Sequence, residues 1–221
     1  MSEAVVLLSG GQDSSTCLFW AVREFDEVVA VGFDYGQKHK TELEQAKKIA
    51  DLAGVEYRVL NTSGLLGGSS LTDHTKDHNN GHAQNETLPA SFTAGRNMLF
   101  LTIAASFAYG QGIADIVTGV CQTDFSGYPD CRRIFIDSMQ TSLGLAMDTA
   151  FRIHTPLMYL TKAETWKLAA ELNVTEVIRT QTLTDYNGDL TMNDWGMGRL
   201  DNPASELRAR GYNEAKAYGW V

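Results

Sequence analysis

Much of what would decide the class of this protein is scarce or missing. No apolar run reaches eighteen residues, and no basic segment leads into an apolar one. The sequence therefore predicts a soluble, cytoplasmic chain with no membrane partner. Only three cysteines occur, Cys17, Cys121 and Cys131, too few and too scattered for a disulfide framework. Positive charge is short as well. Lys and Arg number 18 against 27 Asp and Glu, and a net charge of −9 argues against a protein that grips nucleic acid through a basic face. A small-molecule partner is the expectation. What is present suffices for one large folded unit: 221 residues, 43% hydrophobic and 20% charged.

Strand-like and helix-like runs alternate. "AVVLLS" (Ala4 to Ser9) leads into an apolar-faced segment from Ser14 to Phe25, and "EVVAVGFDY" (Glu27 to Tyr35) leads into "TELEQAKKIADLAG". In the latter, Thr41 and Glu44 read as a capping box. "VEYRVLN", "ADIVTGV" and "FRIHTPL" read as further strands. "RNMLFLTIAASFAYG", "RRIFIDSMQTSLGLAM" and "TKAETWKLAAEL" read as helices, the last with a second capping box, Thr161 and Glu164. Such units imply an α/β fold, a mainly parallel sheet with helices on both faces. Ligands then bind outside the carboxyl ends of the strands, where Ser9–Ser15, Asp34–Gln37 and Cys121–Asp130 fall.

The first strand ends in "SGGQDSS". A Gly-Gly turn lets backbone N–H groups approach an anion, and the helix N-terminus behind it adds its dipole. No lysine lies between Ser2 and Arg23, so this is not a Walker loop, and the Rossmann Gly-x-Gly-x-x-Gly is also absent. The string resembles the Ser-Gly-Gly-x-Asp-Ser loop of the N-type ATP pyrophosphatases. That resemblance implies that ATP is cut between its α and β phosphates, with the departing diphosphate held by Leu8, Ser9, Gly10, Gly11, Gln12, Asp13, Ser14 and Ser15. Because Asp13 would repel phosphate, a bridging Mg²⁺ is expected.

Further blocks narrow the family. "FDYGQKHKTELEQA", "TAGRNMLFL", "TGVCQTDFSGYPDCR" and "TPLMYLTKAETWKLA" resemble the 7-cyano-7-deazaguanine synthase (QueC) family over about four-fifths of the chain. The resemblance implies an adenine nucleotide alpha hydrolase-like, Rossmann-like ligase. ATP would adenylate the carboxylate of 7-carboxy-7-deazaguanine, ammonia would displace AMP to give the amide, and a second ATP would drive it to the nitrile. For that work Asp13, Arg96 and Lys162 are the catalytic candidates. Asp124, Phe125, Ser126, Tyr128 and Asp130 are candidates for the deazapurine, Asp130 as acceptor for a guanine-like edge. A homodimer is expected. Two alternatives stay open: an enzyme that stops at the amide, and a non-catalytic ATP-binding sensor.

The division expected is an ATP pyrophosphatase-type domain over residues 1–180 and a tail over 181–221. Within the first, residues 62–95 form a long polar stretch read as a lid. It carries His74, His78 and His82, read as solvated rather than as zinc ligands. The tail departs from the family, which holds a structural zinc there with four cysteines. Those positions fall on Asp185, Arg199, Asn202 and Ser205, and no cysteine follows Cys131, so a cysteine zinc site is excluded. Asp185 and Arg199 are expected to form a direct charge-assisted pair, with Asn202 and Ser205 capping backbone.

Overall fold

The computed structural model describes residues 1–36, 41–66, 81–82, 85–89, 91–123 and 128–221. Five strands form one all-parallel sheet: β1 (Glu3–Leu7), β2 (Glu27–Asp34), β3 (Glu56–Asn61), β6 (Asp115–Val117) and β7 (Arg152–His154), in the order β3-β2-β1-β6-β7. Between β3 and β6 lies a short antiparallel pair, β4 (Gly81–His82) and β5 (Asn85–Pro89). The lid expectation concerns this stretch and lies mostly outside the described residues, as do His74 and His78.

The alternation of β1 shows why the sheet is covered twice. Val5 faces a cluster built with α3 (Arg96–Gln111) and α4 (Arg133–Met147), through Leu101, Ala104 and Ile136. Ala4, Val6 and Leu8 face the other side, against α1 (Gln12–Glu24) and α2 (Thr41–Ala53), through Leu18, Ala46 and Ile49. Each of these large apolar side chains is essentially removed from water, worth about 1.5–3 kcal/mol apiece. The order places β1 in the centre and the switch of direction between β1 and β6. The cleft opens there.

The remaining helices close one end. α5 (Lys162–Glu171) starts with the expected box: the Thr161 N–H donates to Glu164 at 2.7 Å, and the Glu164 N–H donates to Thr161 Oγ1 at 3.2 Å. α2 is described from Thr41 onward, and the box expected of Thr41 and Glu44 borders residues outside the described ones. After α6 (Thr175–Gln181) comes the tail. It holds a small ribbon, β8 (Met192–Asn193) with β9 (Gly196–Met197), and the 15-residue helix α7 (Pro203–Ala217). Asn202 caps α7 by accepting from the Ser205 N–H at 3.2 Å, and Pro203 occupies the first turn, where its missing N–H costs nothing. Trp166 of α5, Ile178 of α6 and Ala215 of α7 share a third buried cluster, which fastens the tail to the body. Among the described residues, no helix is long and apolar enough to cross a membrane.

Candidate active site

The loop between β1 and α1 is shaped by two glycines. Gly10 has φ +87°, and a Cβ there would come within 2.5 Å of the Glu42 carbonyl oxygen, so only glycine lets the loop lie against α2. A Cβ on Gly119, just after β6, would meet the Ser14 nitrogen at 2.9 Å; its absence lets the next crossover press on the first turn of α1. The hydroxyls of Ser9 and Ser14 lie 3.0 Å apart, and Ser14 Oγ also accepts from the Ser9 N–H at 3.2 Å.

Asp13, in the first turn of α1, receives two hydrogen bonds from Lys162 Nζ, at 2.9 and 2.8 Å. Lys162 is the first residue of α5 and is itself buried. A doubly bonded pair that joins two helices and is buried on the lysine side is a geometry set by both, not a solvated charge.

Both residues face a cavity of about 340 Å³ at the carboxyl ends of β1, β2 and β6. Leu8, Ser9, Asp13 and Ser14 of the expected nucleotide loop line it; Gly10, Gly11, Gln12 and Ser15 do not. Gln12 and Ser15 are buried behind the loop, and neither the Gln12 amide nor Ser15 Oγ finds a partner among the described residues. One wall is aromatic. Phe33 at the end of β2 stacks on Phe100 of α3 with ring centres 4.1 Å apart, and Tyr35 stands 5.5 Å from the same ring.

Arg96, the first residue of α3, also lines the cavity. Burial works against its charge, but Tyr35, Tyr128, Tyr186 and Asp130 outweigh it and hold its pKa above the ordinary arginine value. Tyr128 lines the cavity too, its hydroxyl 2.5 Å from Ser91 Oγ and 3.4 Å from the Tyr186 hydroxyl. Asp130 is turned elsewhere. It is buried outside the cavity lining, and its carboxylate accepts from the Asn97 N–H at 3.2 Å, which fixes the start of α3. Asp124, Phe125 and Ser126 lie outside the described residues.

Tyr35 lies in the Asp34–Gln37 segment expected at the ligand-binding edge, whereas four other cavity residues were not singled out from the sequence: Phe33, Glu42, Thr184 and Tyr186. Phe33 was findable, since it ends a strand at that edge. Glu42 gave no signal, because an acid in the first turn of a helix ordinarily serves the helix dipole. Thr184 and Tyr186 flank Asp185 and reach the cavity only through the course of the tail.

The tail grips the loop directly. The Leu183 N–H donates to the Gly10 carbonyl at 3.0 Å, and the Gln12 N–H donates to Thr184 Oγ1 at 2.9 Å. Behind these contacts converge the four positions expected to match the family's zinc cysteines. Asp185 Oδ2 accepts from Ser205 Oγ at 2.7 Å, Asn202 Nδ2 at 2.9 Å and the Arg199 N–H at 3.0 Å. Its other oxygen accepts from the Asn187 N–H at 2.8 Å. Burial opposes the charge of Asp185, yet these bonds outweigh it and hold its pKa below the usual carboxylate range. The expected Asp185–Arg199 ion pair is not formed. The Arg199 side chain points outward to Asp189, at 2.8 Å, and contributes only its backbone N–H. Asp185 Oδ2 already accepts from three donors, and Gly198 lies so close that a Cβ there would come within 2.9 Å of it. Among the described residues, no three His, Cys, Asp or Glu side chains stand together as a metal site.

Comparison with known proteins agrees with this architecture. Three solved structures share the fold at 14–17% identity. A predicted tRNA methyltransferase subunit from Methanocaldococcus jannaschii matches at TM-score 0.52, covering 77% of this chain and 75% of its own. A 4-thiouridine synthetase–RNA complex with bound ATP also matches at 0.52, covering 98% and 52%. The U34-tRNA thiolase NcsA from Methanococcus maripaludis matches at 0.51, covering 98% and 66%. These likenesses bear out the adenine nucleotide alpha hydrolase-like fold and nothing finer. Sequence goes further. The 7-cyano-7-deazaguanine synthases of two Bacteroides fragilis strains are each 53% identical over 214 residues, covering 96% of this chain and 95% of theirs. The family model for the queuosine biosynthesis protein QueC matches residues 3–216, and the chain therefore belongs to the QueC family.

Proposed function

We propose that this protein is an ATP-dependent ligase that makes 7-cyano-7-deazaguanine from 7-carboxy-7-deazaguanine and ammonia. The observation that carries the reading is the Asp13–Lys162 pair and serine loop facing an aromatic wall across one cavity, in a chain 53% identical to the synthases. The diphosphate end of ATP rests on the loop, where Ser9 and Ser14 present hydroxyls and α1 presents its N-terminus. The substrate carboxylate attacks the α-phosphorus and diphosphate departs. Lys162 and Arg96, at different walls of the cavity, are the cations that stabilise the charge developing there. Ammonia then displaces AMP to give the amide, and a second ATP activates the amide oxygen before AMP leaves the nitrile.

Magnesium fits this site. Asp13 faces the cavity, and two Lys162 bonds leave carboxylate lone pairs free for a metal that keeps several waters and phosphate oxygens. When bound, it neutralises diphosphate charge. Tyr128, together with Asp124, Phe125 and Ser126, holds the deazapurine, and Asp130 acts by orienting α3. A cytoplasmic homodimer working on small molecules and not on nucleic acid completes the reading, the acidic net charge supporting the last point.

The test is mass spectrometry of products from substrate, ATP, Mg²⁺ and ammonium. Nitrile with two AMP per turnover is expected. Amide accumulating without nitrile selects the amide-forming alternative, and no substrate-dependent AMP selects the sensor.

A further inference from the structure

The reaction just described must dispose of protons on nitrogen. Ammonia adding to the acyl adenylate gives a tetrahedral adduct bearing an N–H₃⁺ group. One proton leaves as the C–O bond breaks and AMP departs with the electron pair. The amide nitrogen then gives up two more: one after its oxygen has been adenylylated, the second as the next C–O bond breaks and C≡N forms. Three protons per nitrile need an acceptor beside the reacting carbon.

The cavity offers few. Asp13 is the one other carboxylate on its described lining, and it is held by Lys162. Burial pushes the Tyr35 and Tyr128 phenols above their ordinary values, and it pushes the Cys131 thiol up to about 12. No histidine lines the described wall. Glu42, on the first turn of α2, remains. Its backbone carbonyl faces Gly10 of the nucleotide loop, and its side chain lines the cavity without a hydrogen bond or ion pair to any described residue. The groups acting on it from neighbouring elements are Arg96 of α3, Tyr35 after β2 and Tyr57 of β3; Asp13, Lys162 and Tyr128 also face the cavity.

We propose that Glu42 is the proton acceptor for the nitrogen steps, taking each N–H proton in turn and passing it to solvent. This assignment rests on the synthase reading above. Burial outweighs the attraction of Arg96 and raises the Glu42 carboxyl to about 7, where a base can both accept and release protons at neutral pH. An exposed glutamate would accept too weakly.

The test follows nitrile formation against pH in the full-length protein with saturating ATP, Mg²⁺ and ammonia, alongside diphosphate release. Wild type should show a rate rising with pH through a midpoint near 7. E42A and the near-isosteric E42Q should lose that limb and fall about 10²–10⁴-fold, and added formate should restore part of the rate to E42A alone. Persistence of the limb in both variants overturns the proposal. So does a loss of the first-turnover burst of diphosphate, which precedes every nitrogen step, as large as the fall in nitrile, since that places Glu42 in binding. If wild type itself makes neither amide nor nitrile, the synthase reading fails and takes this assignment with it.

Discussion

The serine loop between β1 and α1 and the Asp185 cluster are both polar sites buried against the same core, yet they treat their polar groups in opposite ways. In the tail, five donors, from Asn187, Asp189, Arg199, Asn202 and Ser205, satisfy one carboxylate. Arg208, fully buried, gives its guanidinium to the carbonyls of Trp195, Thr182 and Ile178 and to the hydroxyls of Thr182 and Thr184, and lies 5.6 Å over the Trp166 ring. Burial lowers its pKa to about 10, still far above neutrality. Among the described residues, the Gln12 amide and Ser15 hydroxyl of the loop find no partner, nor does Glu42 of α2 where it lines the cavity. Each unpaired buried group costs about 1–3 kcal/mol. A structural site saturates its bonds, whereas a ligand site holds capacity back. Substitutions in the tail should therefore cost stability, and substitutions in the loop should cost activity.

The largest effect sharpens this contrast. Asp13→Asn keeps a hydrogen bond to Lys162 but removes the charge; AMP formation should fall about 10²–10³-fold while urea unfolding shifts by no more than ~2 kcal/mol. Arg208→Met should do the reverse, losing about 3–5 kcal/mol in urea unfolding as buried carbonyls lose their donor. An unchanged unfolding midpoint in that variant would break the comparison. Asp185→Asn should cost ~2–3 kcal/mol at neutral pH. Because the folded pKa of Asp185 is depressed, its contribution is present above the unfolded carboxylate value and lost as pH falls through the lower folded one. Variant and wild type should therefore converge in strong acid.

Glu42→Gln runs the other way. The folded pKa, about 7, lies above the ordinary glutamate value of 4.5. The folded state thus holds a proton that the unfolded state has lost, and wild-type stability declines between those values as pH rises. Above them the variant should be more stable by about 1–2 kcal/mol, a figure kept low because the residue is only half-buried, and the gain should vanish in acid. Arg199→Ala should change least, within ~1 kcal/mol, since its pair with Asp189 is 65% exposed on the arginine side.

How much of this was legible in the sequence follows from the range of each interaction. The parallel sheet was readable because β-type runs and helical faces repeat locally, and the loop because its chemistry sits within seven consecutive residues. The link between Asp13 and Lys162 was not, although both were named, because it depends on two helices 149 residues apart in the chain. In the tail, the expected zinc-cysteine positions do come together around Asp185, but ligand spacing says nothing of which side chain reaches the carboxylate, and Arg199 brings only its N–H. Glu42 was hidden for a simpler reason: burial reverses the meaning of an acid at a helix start, and burial belongs to the fold.

The contacts from Leu183 and Thr184 onto Gly10 and Gln12 also bear on how the molecule is made. β1 and the loop come early in synthesis, but the hydrogen bond that fixes the Gln12 N–H spans 172 residues. A chain still being translated can pair β1 with β2 and bury their apolar faces long before residue 184 leaves the ribosome. Closing a loop of that length costs only slowly growing entropy, so delay and not energy is the consequence. Each nascent molecule then passes through a stage with much of its sheet built and its nucleotide loop still unclamped, and gains a finished cleft only after the tail docks.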